Sequence, residues 1–120
     1  MKFRFLMDEN LDPLYKTQLL AKKPDIVVCK VGDPGCPPRG TFDPEILLWC
    51  EKSGYVLVTD NRHSMPPHLR AHLAEECHIP GLITLNENMT IGDTIEELIL
   101  IAEEGIPSRY QDCITYLPVT

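Results

Sequence analysis

The chain has 120 residues, of which 43% are hydrophobic, and a formal net charge of −7 at pH 7. This size allows one hydrophobic core in one domain spanning residues 1–120, and it excludes two ordinary domains. The negative charge disfavours non-specific binding to a polyanion, because affinity for phosphates comes largely from Lys and Arg, so a role on nucleic acid needs a local basic patch or a partner.

Short apolar segments alternate with longer segments of helical spacing along the whole chain. In chain order, the pattern predicts a strand at 3–7, a helix at 11–23, a strand at 26–31, a helix at 44–53, a strand at 55–58, a helix at 67–76, a strand at 81–85, a helix at 91–104 and an edge strand at 113–117. This alternation predicts an α/β fold of three layers, α/β/α, with a mostly parallel central sheet.

Local signals mark several helix starts and one unusual loop. Residues 12–13 and 43–44 each indicate an aspartate N-cap followed by proline, and residues 90–93 resemble a capping box. Residues 32–42 contain three glycines and three prolines and must form a loop. Because this loop is longer than the usual connection of about six residues, it is a candidate for function.

The cysteines and apolar runs indicate a cytoplasmic, soluble protein. The five cysteines are odd in number and form no Cys-x-x-Cys pair, so neither a disulfide framework nor a zinc ribbon is indicated. We expect reduced thiols in a cytoplasmic chain. Every apolar run is much shorter than the roughly 20 residues that span a bilayer, so we expect no membrane partner.

Acidic and amide side chains follow the predicted strands. The candidate catalytic and metal-binding residues are Asp8 after the first strand, Asp43 after the loop from the second, and Asp60 and Asn61 after the third. The carboxyl ends of parallel strands meet at one edge, so these groups are expected to converge. Converging carboxylates repel each other unless a cation lies between them, and Mg²⁺ or Mn²⁺ prefers such oxygen ligands. The chemistry indicated is metal-assisted phosphodiester hydrolysis.

Each of these residues also has a structural alternative. Asp8 and Asn10 suit the start of the first helix, residues 60–61 suit an ordinary turn, and Asp43 suits an N-cap. For Asp43 both roles are compatible, because a capping carboxylate can still offer one oxygen to a metal. For Asp8 we favour function, because a desolvated carboxylate directly after an apolar strand is otherwise a costly choice.

Residues 61–72 bring basic and imidazole groups beside the acids. The candidate substrate-binding residues are Asn10, Arg62, His63, Ser64 and His68, which together suit a phosphate backbone. The alternative is that Ser64 and the following prolines start a helix with an exposed histidine face, and we favour it for His72. A zinc site from Cys77 and His78 with these histidines is disfavoured, since adjacent residues on a helix rarely face the same way.

Three motifs together resemble a known family. MKFRFLMDEN at residues 1–10, FDPEIL at 42–47 and VLVTDNR at 56–62 resemble the small PIN-like proteins of bacteria and cyanobacteria, related to the PIN-domain toxins of toxin–antitoxin pairs. The resemblance covers most of residues 1–85. It implies a three-layer fold and a Mg²⁺- or Mn²⁺-dependent ribonuclease, with Asp8 matching the first metal-binding aspartate and Asp43 matching the acid that opens the second helix.

The chain departs from this family's pattern after the third strand. Many relatives continue as T-x-D-x-D-F, and alignment from Thr59 places Asn61 and His63 where they have aspartates, with Asp60 one residue early. Either the site is rebuilt around these three side chains, or catalysis is weak or lost.

Three functions therefore compete. The first is a metal-dependent ribonuclease acting on RNA as the toxin of a toxin–antitoxin pair, with a basic antitoxin or a homodimer groove offsetting the acidic charge. The second is a catalytically silent PIN-like module that binds RNA or protein. The third is a receiver-type phosphoacceptor using Asp8, Asp60 and Thr84, which is disfavoured because no lysine follows Lys52 to bind the phosphoryl group.

Overall fold

The computed structural model describes residues 3–120, so the first two residues of the motif at 1–10 lie outside it. The elements in chain order are β1 (Arg4–Met7), α1 (Leu14–Lys22), β2 (Val27–Lys30), α2 (Asp43–Ser53), β3 (Val56–Thr59), α3 (Met65–Ala74), β4 (Leu82–Thr84), α4 (Ile91–Glu104), α5 (Pro107–Tyr110) and β5 (Ile114–Tyr116). All predicted elements are confirmed, and the short helix α5 is an addition. Within the described residues, no helix has the length and apolar composition that a bilayer crossing requires.

The five strands form one parallel sheet in the order β2-β1-β3-β4-β5. The chain passes from β1 to β2 on one side and then crosses to β3 on the other, so the order reverses at β1. Met7 lies opposite both Lys30 and Val58, which makes the carboxyl ends of β1, β2 and β3 level with one another. A crevice at such a reversal is where ligands bind in open α/β sheets.

Helices cover both faces of the sheet, which confirms the three-layer α/β/α architecture. Phe5 and Met7 pack in a core with α1 and α4, while Leu6 between them packs in a second core with α2 and α3. All four residues of β3 are buried. Strands covered on both faces carry continuous apolar runs, and this is why the sequence showed them so clearly.

The capping predictions have mixed outcomes. Thr90 caps α4 as predicted, its hydroxyl accepting the N–H of the residue three positions on at 3.0 Å. Asp12 accepts the N–H of Leu14 at 2.9 Å, but the N-cap of α1 is Pro13, so the prediction of an Asp12 cap is one residue early. The prediction for Asp43 is wrong, because Phe42 is the N-cap in extended geometry and Asp43 is the first helical residue. Its carboxylate therefore makes no capping hydrogen bond.

The expectation that every thiol is reduced is also wrong. Cys29 at the end of β2 and Cys36 in the loop at 32–42 form a disulfide. Nothing in the cysteine spacing predicts this bond, because a single pair seven residues apart matches no common disulfide or zinc pattern. The bond joins the loop to the sheet edge beside the crevice.

Candidate metal centre at the carboxyl edge of the sheet

Asp8 lies at the carboxyl end of β1, where its N–H continues the ladder to Val58 O at 2.9 Å. Its side chain is nearly enclosed, and the residue is 7% exposed. Oδ2 accepts a hydrogen bond from Thr59 Oγ1 at 2.6 Å, and Oδ1 accepts the N–H of Glu9 at 2.8 Å. Burial and the charge of Asp8 raise the pKa of Cys50 to about 12, so that thiol stays protonated.

Asp43 lies in the first turn of α2, at the same edge of the sheet as Asp8. Burial raises the pKa of its carboxyl, the negative charge of Asp8 raises it further, and His68 acts in the opposite direction. His68 Nε2 lies 3.7 Å from Asp43 Oδ2. A surface cleft of about 540 Å³ opens here, lined by residues 41–45 and His68. The structure therefore brings two predicted carboxylates and one predicted histidine together.

Asp60 faces a different groove on the same edge. This groove has a volume of about 380 Å³ and its polar lining comprises Asn10, Asp12, Tyr15, Asp60, Arg62, Asn86 and Glu87. Burial raises the pKa of Tyr15, and the charges of Asp12 and Asp60 raise it further. Arg62 lies over the ring of Tyr116 with 5.4 Å between its Cζ and the ring centroid, a cation–π contact.

Asn61 and Ser64 form the turn that opens α3. Asn61 Oδ1 accepts the N–H of Ser64 at 3.0 Å, its Nδ2 donates to Ser64 Oγ, and its own N–H donates to Thr59 Oγ1 at 3.0 Å. His63, between the two, is exposed. The amide of Asn61 therefore holds the turn, which is the structural alternative that the sequence offered for it.

Two further contacts fix the loop at 32–42 to this edge, and a third joins the end of β2 to Glu9. Gly40 N–H donates to Glu9 Oε1 at 2.7 Å, and its φ of +83° is backbone geometry that favours glycine. Lys16 Nζ donates to Asp33 Oδ2 at 2.6 Å, and this bond is the main reason that the pKa of Asp33 is lowered. Lys30, which is 8% exposed, donates from Nζ to Glu9 O at 2.7 Å.

Thr59 and Lys30 also contribute to this edge, although no role is predicted for them from the sequence. Thr59 connects Asp8 to the α3 turn, and Lys30 places a buried ammonium group at the end of β2. Their positions next to the ends of predicted parallel strands could have marked both residues as members of this edge. Their apolar surroundings in the sequence made them look like ordinary strand positions.

Comparison of the chain with models of known protein families, with curated proteins and with solved structures gives no match in any of the three.

Proposed function

We propose that the chain is a Mg²⁺- or Mn²⁺-dependent ribonuclease of the PIN-like type, in which Asp8 and Asp43 hold the metal ion. One observation carries the proposal: the buried carboxylate of Asp8 at the end of β1 and the carboxylate of Asp43 at the start of α2 lie at one edge of the sheet, and burial and then the charge of Asp8 raise the pKa of Asp43. Two acids that repel each other in a partly buried crevice destabilise the folded chain, and a cation between them removes that repulsion.

The donor atoms suit a hard divalent cation. Mg²⁺ commonly uses one or two carboxylates and keeps several waters, so a two-acid site is sufficient. Each oxygen of Asp8 accepts one hydrogen bond and has a further lone pair for an ion. When bound, the ion supplies Lewis-acid polarisation of a phosphate oxygen and a lowered pKa for a bound water.

The chain's own residues orient the site. The Thr59 hydroxyl fixes the rotation of Asp8, and α2 carries Asp43 on a helix rather than on a loop. His68 Nε2, 3.7 Å from Asp43 Oδ2, is placed to hold or transfer a proton at the edge of the cleft. In this proposal Asp60 lines the adjacent groove, and Asn61 supports the site through its turn with Ser64.

The proposed substrate is RNA, held through its phosphates. Arg62 and Asn10 line the adjacent groove, His68 lies beside Asp43, and His63 is exposed in the turn before α3. The net charge of −7 leaves this chain short of the Lys and Arg that nucleic-acid binding needs. We therefore include in the proposal a basic antitoxin, or a second copy of the chain, that completes the RNA-binding surface.

The test is calorimetric titration of Mn²⁺ and Mg²⁺ beside a fluorescent RNA cleavage assay on the same samples. We expect Asp8→Asn and Asp43→Asn each to weaken Mn²⁺ binding at least about tenfold and to abolish cleavage. The matched control is Asp25→Asn, because Asp25 is an exposed carboxylate at the start of β2, the opposite end of that strand from the site. It should leave both readings unchanged. Equal Mn²⁺ affinity in Asp8→Asn and wild type would overturn the proposal.

A catalytically silent PIN-like module is the second candidate, and the turn at Asn61 favours it. Both groups of the Asn61 amide are bonded to Ser64, so this residue makes a weak replacement for a ligand aspartate. The same experiment separates the two functions. Mn²⁺ binding that depends on Asp8 and Asp43, with no RNA cleavage by the wild type, would favour the binding module.

A receiver-type phosphoacceptor is the third candidate. The strand order β2-β1-β3-β4-β5 favours it, and so does Thr84, whose buried hydroxyl has no hydrogen-bond partner in the described part of the chain. The absence of any lysine after Lys52 counts against it. Mass spectrometry after treatment with acetyl phosphate tests this function, with Asp60→Asn as the control.

A further inference from the structure

A second cluster of metal-ligand groups lies at the opposite end of the sheet. Glu51 is near the end of α2, His72 is in the last turn of α3, and Cys77 follows three residues after that helix. In a parallel α/β fold the helices end where the next strands begin, so this cluster lies near the amino edge, away from Asp8. It is therefore independent of the proposed ribonuclease site.

The three side chains come close together. One ligand atom from each of Glu51, His72 and Cys77 lies within 4.8 Å of the other two. His72 Nε2 is 3.3 Å from Glu51 Oε1. The His72 side chain is only 5% exposed, so the expectation that it lies on an exposed helix face is wrong. Tetrahedral zinc with bonds of about 2.0 to 2.3 Å separates its ligand atoms by about 3.3 to 3.6 Å. Small movements of the two more exposed side chains, Glu51 and Cys77, would bring the cluster to that spacing.

The backbone around the cluster is built to hold this arrangement. Cys77 N–H donates to His72 O at 3.2 Å, and Glu76 between them has a φ of +62°, which turns the chain back over the helix end. His78 N–H donates to Glu51 Oε2 at 3.1 Å, which ties α2 to the same turn. His72 Nε2 lies 2.9 Å from His78 O. The ends of α2 and α3 and the turn after α3 therefore hold the three ligand groups close together.

Cys77 and His78 are adjacent in sequence, and a zinc site that uses both is disfavoured because adjacent side chains rarely point the same way. The structure bears out that divergence: the His78 ring bonds to Asp112 Oδ2 at 2.7 Å, away from the Cys77 thiol. Cys77 instead lies close to His72, in the preceding helix α3, and to Glu51, which is in α2. Only the packing of α2 against α3 brings these residues together.

We propose that Glu51, His72 and Cys77 form a binding site for Zn²⁺ or a similar transition-metal ion. A set of one carboxylate, one imidazole and one thiolate is typical of zinc and unsuited to Mg²⁺, which avoids sulfur. On binding, the Cys77 thiol would lose its proton to solvent, and His72 would bind through Nε2 with its proton on Nδ1. The carbonyl oxygen of His78 or a water completes four-coordination.

A cavity lies next to Glu51, one of the three proposed ligands. It has a volume of about 340 Å³ and is lined by Glu51 and His78 together with the residues at the starts of β1 and β3, including Phe3, Arg4 and Val56. Bound metal would join the end of α2 to the end of α3. We therefore expect binding to stabilise the folded chain.

The test uses Co²⁺ as a spectroscopic probe of the reduced, full chain. We expect one equivalent of Co²⁺ to give a thiolate-to-metal charge-transfer band, and Zn²⁺ to displace it. The band should be lost in Cys77→Ser and retained in Cys113→Ser, which removes the exposed free thiol. In Glu51→Gln the band should persist while the affinity falls at least about tenfold. All three substitutions leave the buried His72 in place, which keeps the core packing of α3 intact.

A second readout is the thermal midpoint with and without Zn²⁺. We expect Zn²⁺ to raise it in wild type and in Cys113→Ser, with at least half of that rise lost in Cys77→Ser and in Glu51→Gln. An Asp8→Asn variant should retain the charge-transfer band, which separates this site from the proposed ribonuclease site. The proposal is overturned if wild type shows no band, if the band survives Cys77→Ser, or if Glu51→Gln binds Co²⁺ as tightly as wild type.

Discussion

Thr59 Oγ1 donates a hydrogen bond of 2.6 Å to Asp8 Oδ2, across the paired ends of β3 and β1. Thr59 is fully buried and Asp8 nearly so. The same hydroxyl accepts the N–H of Asn61 at 3.0 Å. One threonine side chain therefore connects the proposed metal ligand to the turn that opens α3, and it determines which way the carboxylate faces.

Replacing Thr59 by valine tests this connection. Valine has nearly the same shape but leaves one oxygen of Asp8 and the N–H of Asn61 without a partner, so we expect the free energy of unfolding to fall by about 1 to 3 kcal/mol. Mn²⁺ affinity should also fall about 10- to 100-fold, as for other groups that orient a metal ligand. Urea denaturation and calorimetry measure the two effects.

Thr59→Ser is the matched control, because serine keeps the hydroxyl and loses only a buried methyl worth about 1 kcal/mol. Its Mn²⁺ affinity should stay close to that of wild type. If the valine and serine variants bind Mn²⁺ equally well, the hydroxyl does not position Asp8 for a metal.

The raised pKa of Asp43, caused first by burial and then by the charge of Asp8, predicts a dependence of stability on pH. The pKa of Asp43 is raised in the folded chain, so the folded state holds that proton more tightly than the unfolded state. The free energy of unfolding of wild type should therefore fall as pH rises from the ordinary aspartate range through the raised pKa. Asp43→Asn has no such proton, so its stability relative to wild type should increase over the same interval.

Denaturation curves at a series of pH values measure this difference, which is expected to be of the order of 0.5 kcal/mol because Asp43 is partly exposed. Added Mn²⁺ at neutral pH should reverse it by stabilising wild type alone. The exposed Asp25→Asn variant keeps Asp43, so its curve should run parallel to that of wild type. Parallel curves for Asp43→Asn and wild type would show that neither burial nor the charge of Asp8 raises the pKa of Asp43 in the folded chain.

Glu97 in α4 anchors the end of the described chain. It is buried, and it accepts hydrogen bonds from Val119 N–H and Thr120 Oγ1 at 2.5 and 2.6 Å. Burial opposes its ionisation, but these bonds outweigh burial, so its pKa lies below the usual range. Its stabilising contribution should be fully present above the ordinary glutamate pKa and be lost as pH falls through the lowered value.

We expect Glu97→Gln to lower the free energy of unfolding at neutral pH by about 1 to 3 kcal/mol, the value of hydrogen bonds to a charged group. The neighbouring Glu96→Gln is the control, because Glu96 is 62% exposed and its ion pair with Lys22 is worth at most about 1 kcal/mol. The gap between the Glu97→Gln variant and wild type should narrow in acid. A constant gap down to low pH would show that packing, and not the charge, stabilises this segment.

Most of the fold could be predicted because strands buried on both faces leave continuous apolar runs. The strand at Val56–Thr59 and the helix at Ile91–Glu104 are examples, since their patterns are long or strongly apolar for their type. The helix at Pro107–Tyr110 escaped prediction because four residues with no buried member show no periodicity. Asp43 was misassigned by one position, since proline is accepted at either of the first two helical residues.

The candidate sites were predictable only in part. Asp8 and Asp43 could be found because strand ends and helix starts are marked locally, and the parallel sheet brings them to one edge. Asp60 lies in sequence where a third ligand was expected, but the turn directs it to the groove beside Tyr15. Glu51, His72 and Cys77 could not be grouped, because their proximity depends on how α2 packs on α3.

The disulfide between Cys29 and Cys36 gives the last prediction. It closes a loop with a sequence separation of seven, and the chain-entropy relation assigns such a loop about 2.5 kcal/mol of stabilisation. We expect a reductant, or Cys36→Ser, to lower the free energy of unfolding by roughly that amount, while Cys113→Ser has no effect. The unreduced wild type should be lighter by two hydrogens in intact mass.

Reduction of this disulfide should change the Mn²⁺ affinity little, because Gly40 still binds Glu9 and Asp33 still binds Lys16. An intact mass unaffected by reductant would mean that both thiols are free, and the loop would then depend on those two contacts alone.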